Sequence, residues 1–70
     1  MVPQTLSRGM NGSDVECLQK DLGAKGYQLS VNGDFDETTE NAVKAFQKDN
    51  NITVDGIVGA ETGPKLGARA

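Results

Sequence analysis

The chain contains no histidine, no tryptophan and a single cysteine, Cys17, among its 70 residues. A lone cysteine forbids an internal disulfide. With histidine also missing, a zinc site of the usual nitrogen and sulfur kind cannot be assembled. The same absences remove the commonest general base and every Ser-His or Cys-His nucleophile pair. No cleft evidently brings two carboxylates together, so the chain reads as non-enzymatic, with no metal and no cofactor. No apolar run exceeds three residues, which leaves neither a membrane span nor a signal segment. Seven basic and ten acidic residues lie scattered along the chain, for a net charge of −3. No basic cluster is available to track a phosphate backbone, so nucleic acid is excluded as a partner. The Met1 start and the Ala68-Arg69-Ala70 end are those expected of a fragment of a longer protein.

What is present is helical spacing. Thr39, Ala42, Val43, Phe46 and Asn50 recur at intervals of three and four, which puts them on one stripe of a helix over about 36–49. Glu40, Asn41, Lys44 and Lys48 fall on the opposite, water-facing side. Asp36 stands where an N-cap belongs, and Glu37 follows in the first turn, where the helix dipole favours an anion. An earlier helix over about 14–25 carries Val15, Leu18 and Leu22 on one stripe with Gln19 beside it. Ser13-Asp14-Val15-Glu16 is a capping box at its start, and Gly26 a left-handed cap at its end. A third, weaker helix is confined by Pro64 to about 61–67. Residues 1–12 form an extended lead-in, pinned to the core by Leu6, with Gly9 and Gly12 supplying turns. Residues 13–70 form a single domain, close to the lower size limit for a packed core. Tyr27, Leu29 and Val31 alternate with polar residues, as do Ile52 and Val54, which admits a short β-bridge.

The chain also matches itself. Val15, Leu18 and Gln19 answer to Val43, Phe46 and Gln47. Leu29, Val31, Asn32, Gly33, Phe35 and Thr39 answer to Ile52, Val54, Asp55, Gly56, Val58 and Thr62. The offset between the two blocks drops by five residues, which the loop after the first helix is expected to absorb. The fold class expected is therefore all-α, a small three-helix bundle with an internal pseudo-repeat and Gly-rich loops.

Several residues invite a functional role and have a plainer one. Asn32-x-Asp34-x-Asp36 opens like a calcium loop, but the sixth position is Glu37 instead of Gly and the twelfth is Val43 instead of Glu. A turn followed by an N-cap accounts for it. Gln19 and Gln47 are expected to satisfy backbone groups of the adjoining loops, and Thr39 and Thr62 to bond backbone. Phe35, Phe46 and Val58 belong to the core. Tyr27 divides evenly between core packing and ligand contact, and Cys17 reads as a passive thiol.

The series Leu6-x-x-Gly9-x-x-Gly12-x-x-Val15-x-x-Leu18-Gln19-x-x-Leu22, then Gly26-Tyr27, is followed by Gly33-x-Phe35-x-x-x-Thr39-x-x-Ala42-Val43-x-x-Phe46-Gln47. Val54-Asp55-Gly56-x-Val58-Gly59-x-x-Thr62 completes it. In order and spacing this resembles the peptidoglycan-binding domain type 1 family from about residue 6 to residue 66. Two positions depart from that pattern: Asp36 stands where the family usually has Gly, and Gly63-Pro64 where it usually has an aromatic. The resemblance implies a three-helix module, without activity of its own, that targets a linked cell-wall hydrolase such as an amidase, lysozyme or endolysin to murein. It implies bacterial peptidoglycan, through glycan or stem peptide, and the linked catalytic domain as partners. The module would be a monomer working outside the cell at the wall, either secreted or phage-encoded and released at lysis. The alternative is a docking module that regulates or stabilises its own catalytic partner. With so few aromatics, the expected ligand site is a shallow polar groove walled by the two repeated turns: Tyr27, Asn32, Gly33, Asp34, Asp55 and Gly56.

Overall fold

The structure, a computed structural model, describes residues 5–59 and 61–67. The first four residues of the lead-in and the tail beyond Gly67 lie outside the described residues. Two longer helices, α1 (Ser13–Ala24) and α2 (Glu37–Asp49), are followed by the six-residue α3 (Thr62–Gly67). Among the described residues the fold is all-helical, with no strand. Two isolated antiparallel bridges, Leu6 with Val58 and Asn11 with Asp34, tie the lead-in down. The alternating stretches 27–31 and 52–54 form no bridge; Val31 and Val54 are about half exposed, at 47% and 49%.

One core holds the elements together. Val15, Leu18 and Leu22 of α1 meet Ala42, Val43 and Phe46 of α2 and Leu66 of α3, with Leu6, Phe35 and Val58 closing the ends. α1 packs against both α2 and α3. Leu6 is pinned as expected: its side chain is buried, and its backbone exchanges hydrogen bonds with Val58 at 2.9 and 2.8 Å. The expected stripe on α2 is corrected at one end. Gln47 is buried, whereas Asn50 is exposed and caps the helix, its Nδ2 donating to the Phe46 carbonyl at 2.9 Å.

The helix ends show where local signals hold and where they yield. Asp36 caps α2 as its residue type demands, Oδ1 accepting from the Thr39 amide at 3.1 Å. At α1 the capping box does not form. Gly12, with φ 125°, takes the N-cap position and no side chain caps the helix. The Gly12 amide donates to the Gly33 carbonyl at 2.9 Å, and this long-range contact fixes where the chain enters α1. Gly26, with φ 99°, then ends α1 in a Schellman turn: Tyr27 N–H donates to the Leu22 carbonyl and Gly26 N–H to that of Gly23, each at 3.1 Å. α2 ends the same way, with Ile52 N–H on the Gln47 carbonyl and Asn51 N–H on that of Lys48. There the left-handed position is held by Asn51 (φ 57°) instead of glycine. Asn51→Gly should therefore stabilise the chain by about 0.5 kcal/mol, a rise in melting temperature readable by circular dichroism. Asn51→Ala should lower it.

The five-residue change of offset is not all in the loop. α1 runs five residues past Gln19, whereas α2 stops two residues past Gln47. Three of the five extra residues thus lengthen the helix, and two lengthen the connection after it. α3 holds Pro64 in its first turn, where no amide hydrogen is needed, so the helix tolerates it.

Candidate functional site

Gln19 and Gln47 each fasten a turn to the start of the next helix. Gln19 Oε1 accepts from the backbone amides of Asn32 and Gly33, both at 2.9 Å. Its Nε2 lies 3.0 Å from Asn32 Oδ1, 2.9 Å from the Asp34 carbonyl and 3.0 Å from Thr39 Oγ1. Gln47 repeats the set. Its Oε1 accepts from the amides of Asp55 (3.0 Å) and Gly56 (2.9 Å). Its Nε2 reaches Asp55 Oδ1 (2.9 Å), the Ile57 carbonyl (3.0 Å) and Thr62 Oγ1 (3.0 Å). Two amide hydrogens serve three acceptors in each case, so one bond is shared. The pair of backbone donors facing Oε1 fixes the orientation of each amide. Both glutamines and both threonines are essentially buried, and among the described residues no buried side-chain polar atom lacks a partner. The expectation that the glutamines satisfy their loops holds. What spacing alone did not reveal is that Thr39 and Thr62 serve chiefly as side-chain partners of those glutamines.

Each turn lies flat on a helix. Gly33 (φ 80°) is buried, and a Cβ there would lie 3.3 Å from Glu16 Cγ. Gly56 (φ 74°) is tighter, since its Cβ would lie 3.0 Å from both Glu40 Cγ and Lys44 Cε. Glu40 and Lys44 therefore form the floor under the second turn and do not simply face water. Glu40 is half-buried and also meets Arg8 in an exposed ion pair at 3.4 Å, a contact of small energetic weight.

Asn32 and Asp55 play the same part with different charge. Asn32 Oδ1 also accepts from the Asp34 amide at 3.0 Å, and Asp55 Oδ1 from the Ile57 amide at 2.9 Å. The Ile57 amide first, and then Gln47, hold the Asp55 carboxyl below the usual carboxylate range. A depressed folded value means that the carboxylate stabilises the fold above its unfolded pKa. That contribution is lost as pH falls through the folded value. Asp55→Asn puts in the second turn what the first already has. It should keep the fold and soften the loss of stability below about pH 4. Urea unfolding of both chains at neutral and acid pH reads this out; an equal acid loss in the two would refute it.

Tyr27 sits elsewhere. Its ring meets Phe46 edge to face, with centroids 6.1 Å apart at 80°, and its hydroxyl donates to Asp49 Oδ2. The hydrogen bond to Asp49 holds the phenol above the usual tyrosine range. With Gly26, Gln28, Thr38, Asn41 and Ala42, Tyr27 lines a shallow, open depression between the α1–α2 connection and the first turns of α2. Of the six residues expected to form the ligand site, Asn32, Gly33 and Asp34 gather around Gln19, and Asp55 and Gly56 around Gln47. Only Tyr27 lines the depression. Gln28, Thr38 and Asn41 were not singled out by sequence reasoning. Nothing in their spacing or residue type set them apart. Among the described residues, no group of three or more His, Cys, Asp or Glu is placed to hold a metal. Asn32 Oδ1 and Asp36 Oδ1 are already occupied as hydrogen-bond acceptors within the fold.

Comparison with known proteins follows this geometry. The family model for the peptidoglycan binding domain matches residues 11–66. The chain is 44% identical over 66 residues to N-acetylmuramoyl-L-alanine amidase CwlL of Bacillus licheniformis, covering 90% of this chain and 18% of the amidase. It is 36% identical over 63 residues to the carboxy-terminal processing protease CtpA of Bacillus subtilis, covering 90% of this chain and 14% of the protease. Among solved structures, the Burkholderia AP3 phage endolysin superimposes with a TM-score of 0.90 at 37% identity, over 96% of this chain and 26% of the endolysin. The chain spans less than a fifth of the length of these two curated relatives. With the motif series, the helical fold and the family model in agreement over most of its length, the chain belongs to the peptidoglycan binding domain family.

Proposed function

We propose that the chain is a non-catalytic module that anchors a linked cell-wall hydrolase to murein and raises its local concentration there. The observation that carries this reading is the family match over residues 11–66. The internal chemistry supports it: the buried polar side chains Gln19, Thr39, Gln47 and Thr62 are all spent on holding the fold. In this reading the architecture is a three-helix bundle built on a duplicated unit, and the module is a monomer. It acts outside the cell at the wall, as part of a secreted enzyme or of a phage enzyme released at lysis. Tyr27 and Asp34 belong to its ligand-facing surface, while Asn32, Gly33, Asp55 and Gly56 shape that surface through turns whose inward polar atoms are already bonded.

The test is sedimentation of the 70-residue chain with purified, teichoic-acid-free sacculi across a salt series. Retention that survives moderate salt is expected, since a polar groove is less screened than bare charge attraction. Failure to sediment at any salt would overturn the reading. A docking module is the second reading, favoured by the exposed apolar side chains of Val31, Val54 and Ile57. Removing the module from its parent enzyme separates the two. Loss of activity on whole sacculi alone marks the anchor, and loss on soluble fragments as well marks the dock.

A further inference from the structure

We infer that the depression beside Tyr27 receives a neutral N-acetylated sugar of the murein glycan, and that the charged stem peptide is not its ligand. The inference rests on the wall-anchoring reading above and narrows it to one site and one ligand chemistry.

Three features of the depression point the same way. None of its lining residues (Gly26, Tyr27, Gln28, Thr38, Asn41 and Ala42) is charged, although 24% of the chain is. Stem peptides carry carboxylates, and desolvating a carboxylate against groups with no cation among them is unfavourable. The net charge of −3 opposes the same ligand. N-acetylglucosamine, the murein sugar without a lactyl group, brings only hydroxyls and an acetamide. Second, Gln28, Thr38 and Asn41 are exposed, and among the described residues their side chains have no hydrogen-bond partner. Two primary amides and a hydroxyl supply donors and acceptors in the mixture that an acetamide and ring hydroxyls require. Third, the Tyr27 ring is fixed at both ends, by Phe46 against its body and by Asp49 at its hydroxyl. A sugar packing on a ring already held in place pays little ordering entropy. The two glycine turns offer less, because Asn32 Oδ1 and Asp55 Oδ1 each already accept two hydrogen bonds. The shallowness of the site suits a single sugar unit and modest affinity.

The decisive experiment measures retention of the 70-residue chain on intact sacculi and on glycan strands freed of stem peptides by an amidase, with the lactyl carboxylates this cleavage exposes capped as amides. The stripped strands should retain it. Gln28→Ala and Asn41→Ala should each weaken retention on stripped strands by about threefold to tenfold, the range set by losing one hydrogen bond. Neither should lower the melting temperature, since neither side chain bonds within the described fold. Retention on sacculi but not on stripped strands would place binding on the peptide and overturn the inference, leaving the wall-anchoring reading intact. Unchanged retention of both variants on stripped strands would do the same by moving the site elsewhere. Failure of the unaltered chain on both matrices would remove the wall-anchoring reading itself, and this inference with it.

Discussion

Gln47→Ala is expected to remove roughly 3–5 kcal/mol, about half of the stability of the chain. The substitution strips the partner from the amides of Asp55 and Gly56, the Ile57 carbonyl, the Thr62 hydroxyl and one Asp55 oxygen. Water can still reach Asp55, which is exposed, but Gly56 and Thr62 are buried. An orphaned buried polar group costs about 1–3 kcal/mol, so two of them with the cavity left behind amount to roughly 3–5 kcal/mol. A domain of this length has roughly 4–10 kcal/mol in total. Urea unfolding followed by far-UV circular dichroism measures the loss, and a value below about 1 kcal/mol would contradict the role assigned to this side chain. Gln→Glu substitutions isolate the charge. Gln47→Glu sets a carboxylate against Asp55 and should be as damaging as alanine at neutral pH. Gln19→Glu faces the neutral Asn32 and should be milder.

Gly56→Ala is the second large effect. Two penalties add at this position. A side chain at φ 74° occupies the left-handed region, at a cost of about 1–2 kcal/mol. The new Cβ would also lie 3.0 Å from Glu40 Cγ and Lys44 Cε. Lys44 can swing its flexible end away, but Glu40 Cγ sits close to the helix backbone and has less room to yield. Overpacking of this kind adds about 1–3 kcal/mol. Together they should lower the melting temperature by about 10–25 °C. Gly26→Ala is the control, because at φ 99° with nothing within 4 Å of its Cβ it incurs only the backbone term. Equal losses at the two positions would show that the close approach to α2 has no energetic weight.

Features that depend on contacts within one helix were legible in the sequence. Val15, Leu18 and Leu22, or Ala42, Val43 and Phe46, declare their buried face by spacing, and Asp36 declares its cap by chemistry. Features set by distant partners were not. Ser13 should cap α1 on local grounds, yet the Gly12–Gly33 hydrogen bond takes the chain through Gly12 instead. Val31 and Val54 alternate like strand residues, but the bridges among the described residues pair Leu6 with Val58 and Asn11 with Asp34, which no local period connects. The candidate site divides along the same line. The self-match aligned the two turns, with Gln19 and Gln47 in corresponding places. The depression beside Tyr27 arises only when the α1–α2 connection folds back on α2, so Gln28, Thr38 and Asn41 carried no signal of their own.

The grip on the first turn also bears on how the chain ages. Asn11-Gly12 and Asn32-Gly33 are dipeptides in which the glycine amide nitrogen can attack the asparagine carbonyl, expel ammonia and form a succinimide that water opens to aspartate or isoaspartate. That attack needs a free amide and a backbone able to swing. Here the Gly33 amide is held by Gln19 Oε1 and the Gly12 amide by the Gly33 carbonyl, both at 2.9 Å. Mass spectrometry should therefore find deamidation slower in the folded chain than in urea. Where it does yield aspartate at position 32, the product has a ready pattern in Asp55, which already makes the corresponding bonds with a carboxylate. The aspartate product would leave the hydrogen bonds of the turn in place, whereas isoaspartate, with its extra backbone methylene, would not.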